Sequence, residues 1–168
     1  MQTMRVEIRH PTTADMRVFL AAARISKALH HPWINAPDTP AKYHAYLKRM
    51  VAPLNYAFLV CRSGDQALVG VINLSNIVQG AFKSGYLGYY AFSGFERQGY
   101  MKLGLKAVVR HSFKTLKLHR LEANIQPGNE ASIRLAASCG FHKEGYSRRY
   151  LKINGRWRDH ERWAILAS

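Results

Sequence analysis

The composition of the chain is that of an ordinary globular domain that carries an unusual charge. Its 168 residues are 48% hydrophobic and 21% charged, which favours a single domain over residues 1–168 with a real core. No apolar stretch is long enough to span a bilayer, and the N-terminus does not lead into a signal-peptide core. We therefore expect no membrane contact and a cytoplasmic location.

The charge balance favours polyanionic partners. Lys and Arg total 25 against 10 Asp and Glu, a formal net charge of +15. A field of that sign attracts nucleic acid, a ribonucleoprotein surface or a phosphate-rich cofactor. A role in solubility alone explains the charge equally well, because net charge carries no information about fold.

Cysteine and histidine usage predicts neither a disulfide nor a metal site. Cys61 and Cys139 are far apart and not at metal-ligand spacing, which is typical of buried free thiols. The pair His30-His31 has no further ligands at a suitable spacing. We therefore expect no bound metal.

The first half of the chain predicts a strand, two helices and a hairpin. Residues 4–9 alternate apolar and charged side chains, as a strand does. A helix begins near Thr12 or Thr13, with Asp15 in its first turn, and runs to about residue 26. Residues 29–38 are predicted to be irregular. The capping hydroxyl of Thr39 before Pro40 opens a second helix, which ends near residue 53. The predicted hairpin has strands 56–61 and 66–74 around a turn at 63–65.

The second half predicts alternating strands and helices and a closing hairpin. A strand over 85–92 precedes the clearest helix, 99–117, which has five cations at spacings of four and three. A strand at 121–125 precedes a helix over 129–138 that ends at Gly140. Asn154-Gly155 is a strong hairpin turn, with arms at 146–153 and 156–166. No linker or repeat divides the chain, so the order predicts an α+β or mixed α/β domain around one sheet. The five cations are Lys102, Lys106, Arg110, Lys114 and Lys117.

The turn at residues 95–101 is a candidate phosphate site. It lies between a strand and a basic helix, where free N–H groups and the helix dipole favour an anion. Gly99 would let an anion approach the backbone closely. Taken alone, a single glycine at a helix start is more often purely structural.

Six segments form an ordered series between Tyr86 and Ala164: 86–89 (YLGY), 98–101 (QGYM), 118–124 (LHRLEAN), 128–135 (GNEASIRL), 140–146 (GFHKEGY) and 150–160 (YLKINGRWRDH). This series resembles the GNAT superfamily of acetyl-CoA-dependent N-acetyltransferases, most closely the ribosomal-protein-alanine N-acetyltransferases. Nearly half of the chain carries the resemblance, and the N-terminal elements fit the same fold less distinctively. It implies a mostly antiparallel, twisted sheet of six to seven strands with about four helices on its faces.

The resemblance also implies where acetyl-CoA, the co-substrate, would bind. In such enzymes the strand before the main helix splays from its neighbour and pairs with the pantetheine arm; here that strand ends at Tyr90, Ala91 and Phe92. The family's pyrophosphate loop has two glycines. The second matches Gly99, whereas the first matches Arg97, whose side chain could contact a phosphate or crowd the turn. The remaining loop positions expected at the cofactor are Gln98, Tyr100 and Met101.

The resemblance assigns catalytic roles to the helix that Asn129 opens. Asn129 matches the family asparagine beside the pantetheine arm, although a plain helix N-cap is what the residue alone suggests. Ser132 matches a serine near the departing thiolate and lies one turn along the same face. A surface serine is the equally supported reading from sequence. The general-acid tyrosine of many relatives is absent, since Ala136 stands there, and Leu151 replaces a glutamate base found in some.

These parts predict direct acetyl transfer to an amine without a covalent enzyme intermediate. An α-amine has a pKa of about 7.7–8.0 and a lysine amine about 10.4. An enzyme without an obvious carboxylate base can therefore obtain the neutral, reactive form of an α-amine more easily than that of a lysine. Glu122 or Asp159 could assist through water. Neighbouring strand residues face opposite ways, so Asp159 and His160 should not form a dyad, and a structural role is expected for them.

Three functions remain open from the sequence. The first is acetylation of the N-terminal α-amine of a protein, most simply a ribosomal one, by a monomer or homodimer whose basic surface contacts ribosome or RNA. The second is acetylation of a small amine, although the +15 charge disfavours polyamine cations. The third is a basic RNA- or ribosome-binding module that has lost catalysis, motivated by the departures at Arg97 and Ala136.

Overall fold

A single seven-stranded sheet organises the molecule. The computed structural model describes residues 5–168. Met4, at which the first strand was predicted to begin, lies outside these residues. The strand order is β1-β2-β3-β4-β5-β7-β6. All neighbours are antiparallel except β4 and β5, which are parallel. The strands are β1 (Val6–Arg9), β2 (Tyr56–Arg62), β3 (Leu68–Val78), β4 (Ser84–Ala91), β5 (Arg120–Ile125), β6 (His142–Ile153) and β7 (Arg156–Leu166).

Five helices cover the two faces of the sheet. A short 3₁₀ turn over Thr13–Asp15 leads into the first of them. This arrangement confirms the predicted mixed α+β fold with a mostly antiparallel sheet. The helices are α1 (Met16–Ile25), α2 (Lys27–His30), α3 (Pro40–Arg49), α4 (Tyr100–Lys114) and α5 (Glu130–Ser138).

Two apolar layers hold the helices to the sheet. On one face α4 buries Leu105 and Val108 completely against the strands. Its Gly104 allows close approach, since a Cβ there would lie 2.7 Å from a methyl of Val60. On the other face α1 and α3 pack Phe19 and Tyr43 against the sheet. Truncating a fully buried aromatic of this kind typically costs about 3–5 kcal/mol.

Some predicted element ends shift for local reasons. The helix expected to reach residue 117 ends at Lys114, and Lys117 has φ 58°, which an α-helix cannot accommodate. Residues 27–30 form a helical turn although 29–38 were predicted irregular. That turn stops at His31, which precedes Pro32 and is extended, because a following proline disfavours the helical conformation.

The hairpin predicted at Asn154-Gly155 is present, with both residues at positive φ.

Cys61 and Cys139 are buried free thiols. No helix within residues 5–168 is both long enough and apolar enough to cross a membrane. The same residues contain no group of three or more side chains arranged to hold a metal ion.

The sheet opens between β4 and β5, and this opening positions the site. The two strands pair only from Ser84 with Arg120 to Leu87 with Ala123. Beyond that point β4 stays paired with β3 as far as Ala91, while β5 stays paired with β7 as far as Ile125. Past Leu87 and Ala123, β4 therefore remains paired with β3 and β5 with β7, but β4 and β5 are no longer paired with each other. This leaves a wedge between them with unpaired strand backbone on both sides.

Candidate active site

A cleft of about 110 Å³ lies at the wedge between β4 and β5. Both predicted catalytic residues, Asn129 and Ser132, line it. No carboxylate belongs to its lining within the described part of the chain. The lining residues are Trp33, Ile34, Leu87, Tyr89, Ala123, Asn124, Ile125, Gln126, Asn129, Ser132, Ile153 and His160.

Asn129 and Ser132 are held together by the start of α5. Asn129 caps the helix, and its Oδ1 accepts a hydrogen bond of 3.3 Å from the Ser132 amide. The hydroxyl of Tyr89 donates to the Ser132 carbonyl at 2.9 Å, which ties β4 to α5 across the mouth of the wedge. Burial raises the pKa of Tyr89, so its hydroxyl keeps its proton at neutral pH. The capping role expected of Asn129 and its place in the cleft are therefore compatible.

The end of β4 presents alternate backbone groups to the wedge. The amide of Phe92 donates to the Val69 carbonyl at 2.8 Å, so it is used within the sheet. The Tyr90 carbonyl also lies on the β3 side, since a Cβ on Gly70 would come within 2.6 Å of it. Strand backbone alternates, so Ala91 and Tyr89 face the wedge instead. Of the three residues predicted to offer backbone to the pantetheine arm, Phe92 and Tyr90 thus direct their backbone groups toward β3, and Ala91 directs its own toward the wedge; pairing with the arm stays a prediction.

The carbonyl of Ala91 already has a hydrogen-bond partner, the side chain of His30. Its Nε2 donates to the Ala91 carbonyl at 2.7 Å, and its ring lies against Tyr90. His30 is 5% exposed, and burial lowers its pKa. The imidazole thus fixes the final residue of β4 from the α1 and α3 side of the sheet, which leaves the Ala91 amide as the group directed at the wedge.

The loop before α4 has the shape that an anion site needs. Arg97 has φ 58° and Gly99 has φ 83°, so Arg97 takes the left-handed conformation where the family pattern has glycine. Its side chain is exposed and does not crowd the turn. The Gln98 side chain donates to the Gly94 carbonyl at 2.7 Å and braces the loop. The first backbone bond of α4 runs from Leu103 to Gly99, so the amides of Tyr100 and Met101 precede the helical ladder.

The surface of α4 adds positive charge next to this loop. Lys102 and Lys106 are exposed, and both lie close enough to Cys139 to lower the pKa of its thiol, although burial raises it more. Neither lysine forms an ion pair within residues 5–168. An anion at the start of α4 would therefore meet both helix amides and uncompensated cations.

The two carboxylates considered as water-linked bases lie outside the cleft. Glu122 accepts a hydrogen bond of 2.8 Å from Arg120. Asp159 accepts from the Tyr146 hydroxyl at 2.7 Å and from the Arg149 amide at 2.8 Å. Both side chains are therefore committed to local structural contacts.

The sequence analysis missed His160, which lines the cleft and is 3% exposed. It was correct that Asp159 and His160 face opposite ways, but it assigned both a structural role. The alternation that sends Asp159 away from the cleft sends His160 toward it. That signal was present in the sequence, but the orientation of β7 relative to the wedge was not.

A wedge between strands, a positive-φ loop before a helix and a helix opened by an asparagine are the parts expected of an acyl-CoA-dependent acetyltransferase. Residues 5–142 match the Acetyltransferase (GNAT) domain, and the chain belongs to this family. It is accordingly an enzyme of the acyltransferase class.

Three relatives illustrate the similarity. Probable N-acetyltransferase YjcK of Bacillus subtilis is 38% identical over 121 residues, 72% of this chain and 67% of that protein. The [ribosomal protein uS5]-alanine N-acetyltransferase of Escherichia coli is 43% identical over 96 residues, which cover 57% of this chain and half of that protein. The structure of Mycobacterium smegmatis RimJ in complex with CoA-disulfide superposes with a TM-score of 0.89 at 26% identity, covering 98% of this chain and 85% of that one.

Proposed function

We propose that the protein transfers an acetyl group from acetyl-CoA to the N-terminal α-amine of a protein, most simply a ribosomal protein. The observation that carries the proposal is the wedge between β4 and β5, which ends at Asn129 and Ser132. The amine attacks the thioester directly. Asn129 orients the pantetheine arm, and the Ser132 hydroxyl hydrogen bonds to the departing sulfur.

The coenzyme fits the wedge for physical reasons. The pyrophosphate would lie on the loop Arg97–Met101, where positive-φ backbone and helix-start amides converge. The pantetheine amides would complete the backbone hydrogen bonding that β4 loses beyond Leu87, with Ala91 as one partner. The thioester carbonyl would then be polarised by a backbone N–H of the same strand.

The acceptor is inferred from the cleft's chemistry and from the relatives. At pH 7.5 an α-amine needs only a few tenths of a kcal/mol to become neutral, whereas a lysine amine needs about 4 kcal/mol. A cleft whose described lining contains no carboxylate suits the first. The similarity to the E. coli uS5-alanine enzyme supports the same choice. Acetylation of a small amine is the second candidate, and the +15 charge disfavours polycations among such substrates.

We further propose that the basic surface docks the enzyme on ribosome or RNA, in the cytoplasm, as a monomer or homodimer. The five cations that run along and just beyond α4 are all exposed and form no ion pair within residues 5–168. A stripe of that kind attracts phosphates without sequence preference. Docking would bring an emerging or assembled protein N-terminus to the cleft.

The test is acetylation of whole-cell protein with labelled acetyl-CoA, followed by mass spectrometry of the labelled chain. We expect a mass gain on the first residue of a protein, and parallel incubation of ribosomal and ribosome-free fractions tells whether that protein is ribosomal. Label only on lysine side chains or on small amines would overturn the α-amine proposal. If acetyl-CoA neither binds nor transfers its acetyl group to any amine, the proposed function fails and the RNA-binding alternative takes its place.

A further inference from the structure

Two side chains that line the cleft each carry a hydrogen-bond acceptor that has no partner within residues 5–168. The first is Oδ1 of Asn124, which is buried and has no hydrogen-bond partner within the described residues. The same is true of Nε of Arg162, a donor on the residue directly opposite Asn124 in β7. Leaving such an oxygen unpaired costs free energy, typically about 1–3 kcal/mol, so a buried polar atom without a partner needs an explanation. A ligand that donates a hydrogen bond in the cleft would supply one.

The second acceptor is Nε2 of His160. Its Nδ1 lies 2.9 Å from the Arg158 carbonyl, and because a carbonyl can only accept, Nδ1 must carry the proton. In the neutral ring Nε2 is then unprotonated. It has no hydrogen-bond partner between residues 5 and 168, although the imidazole is almost completely buried. The backbone thus selects the tautomer that leaves a basic nitrogen in the cleft.

The strand register places both acceptors on one face of the sheet. Asn124 of β5 lies directly opposite Arg162 of β7, and His160 is two residues from Arg162 on the same strand. Side chains at such positions share a face and are close neighbours. Trp33 and Ile34 also line the cleft, with the Trp33 ring next to Gly128, and Asn129 and Ser132 line it from the start of α5.

We propose that Asn124 Oδ1 and His160 Nε2 form the binding site for the acceptor amine, and that His160 is the base that removes its proton. This inference rests on the proposed acetyl transfer. An uncharged amine offers two N–H donors, one for each acceptor. Among the residues that the structure describes, the cleft lining contains no carboxylate to hold a permanent ammonium ion, which matches an amine that reacts in its neutral form.

The proton balance of the step is complete with groups already named. The amine nitrogen bonds to the thioester carbon, and the carbon–sulfur bond breaks. The proton lost by nitrogen goes to Nε2 of His160 and then to solvent. The sulfur leaves as a thiolate hydrogen bonded to Ser132 and takes a proton from solvent. No further reactant is required.

The groups around His160 keep the imidazole neutral at physiological pH. Burial lowers its pKa below the ordinary value of about 6.5, against smaller opposing effects of its bond to Arg158 and of Asp159. Tyr150 of β6 faces it with ring centroids 6.2 Å apart, and Arg162 shares its face on β7. The low-dielectric site disfavours imidazolium, so the base is available above about pH 6.5.

The first experiment measures kcat/KM for an α-amine peptide against pH, with saturating acetyl-CoA. Two protons must be absent, one from the peptide amine and one from His160. We therefore expect log(kcat/KM) to rise with a slope of 2 at low pH and a slope of 1 between the two pKa values. Comparison of this profile with that of H160Q decides whether the second proton belongs to His160.

The second experiment uses H160Q, with H111Q as matched control. His111 is a partly buried histidine on α4 that also has a lowered pKa but lies away from the cleft. We expect H160Q to lose about 100-fold in kcat/KM and to show a slope of 1, whereas H111Q keeps the wild-type profile. Coenzyme A affinity of H160Q should be unchanged, which also reports that it is folded. A profile for H160Q equal to wild type would contradict the proposal.

The third experiment separates binding from chemistry at Asn124. N124D keeps an acceptor oxygen and N124L removes it, so N124L should raise the KM for peptide about tenfold and N124D should not. Equal KM values for both variants would remove Asn124 from the site. In all three experiments, wild-type activity toward an amine shows that the proposed function stands even where this inference fails.

Discussion

The Tyr89 hydroxyl donates a hydrogen bond of 2.9 Å to the main-chain carbonyl of Ser132. The two residues lie on β4 and α5, the elements on either side of the wedge, and this contact spans it. The Ser132 carbonyl also lies within α5, where it can accept a backbone hydrogen bond of the helix. The bond from Tyr89 therefore fixes the position of the helix start, and the carbonyl does not depend on it for a partner. Its main consequence is the placement of the Ser132 side chain.

Replacing Tyr89 by Phe should therefore reduce activity more than stability. The lost hydrogen bond is worth about 1 kcal/mol or less, because its acceptor remains paired, while looser placement of Ser132 should lower kcat several-fold. Urea unfolding and steady-state kinetics measure the two effects. Y56F is the control, since the Tyr56 hydroxyl has no hydrogen bond within residues 5–168. A Y89F enzyme with wild-type kcat would show that the contact is not needed.

Replacing Ser132 by Ala should lower kcat by about 10- to 100-fold and leave coenzyme A affinity within about twofold. The hydroxyl is expected to stabilise the departing thiolate, which carries charge only in the transition state. S138A is the matched control, because Ser138 lies at the other end of α5, where its hydroxyl bonds to the Leu135 carbonyl and lies near the Cys139 sulfur. An unchanged rate for S132A would remove the serine from the mechanism.

The loop before α4 should be sensitive to its backbone conformation. G99A places a Cβ at φ 83°, which costs about 1–2 kcal/mol and should weaken coenzyme A binding by about tenfold in titration calorimetry. G80A is the control, since Gly80 also has a positive φ of 70°, and a Cβ there would have no other atom within 4 Å. Binding to G99A as tight as to wild type would speak against a phosphate site here.

Arg97 can be tested in the same loop with R97G. Glycine suits φ 58° better than arginine, so the loop should keep its contour and only the guanidinium is lost. Weaker binding of coenzyme A, with unchanged binding of S-acetylpantetheine, would show that the side chain contacts a phosphate. Equal affinities of wild type and R97G for coenzyme A would show that only the backbone of Arg97 matters.

His30 should make stability depend on pH. Burial lowers its pKa in the folded state, so the unfolded chain binds the proton more readily. The contribution of His30 to the free energy of unfolding is complete above the unfolded pKa of about 6.5. It is lost as the pH falls from there to the folded pKa, and it amounts to at most about 1.4 kcal/mol for each unit by which the two pKa values differ. Urea unfolding from pH 7.5 to 5 should give a flatter curve for H30L than for wild type. Parallel curves would show that His30 titrates alike in both states.

The stripe along α4 should set the salt dependence of RNA binding. Each phosphate contact to a single strand contributes about −0.7 to the slope of log K against log salt, so K106A/R110A should reduce the slope by about 1.4. R17A/K48A removes two exposed cations from α1 and α3 and should leave the slope nearly unchanged. Equal slopes for the two double variants would indicate a diffuse charge effect without a docking surface.

Local chemistry in the sequence was sufficient for much of this protein. Asn129 as a helix cap, Gly140 as a helix stop and Asn154-Gly155 as a hairpin turn act through bonds within a few residues, and each occurs where predicted. Ser132 follows Asn129 into the cleft because one helical turn separates them. The fold class follows from the order of such elements.

Contacts between distant segments decided the rest. The alternation of β7 showed that Asp159 and His160 face opposite ways, but only the pairing of β7 with β5 turns His160 toward the wedge. Likewise, the Phe92 amide is directed away from the wedge because it donates to the carbonyl of Val69 in β3. Arg97 keeps a glycine-like conformation inside a loop that the Gln98 side chain braces. Strand pairing and loop packing depend on segments that meet only in the folded chain, so no local pattern encodes which face of a strand meets the cleft.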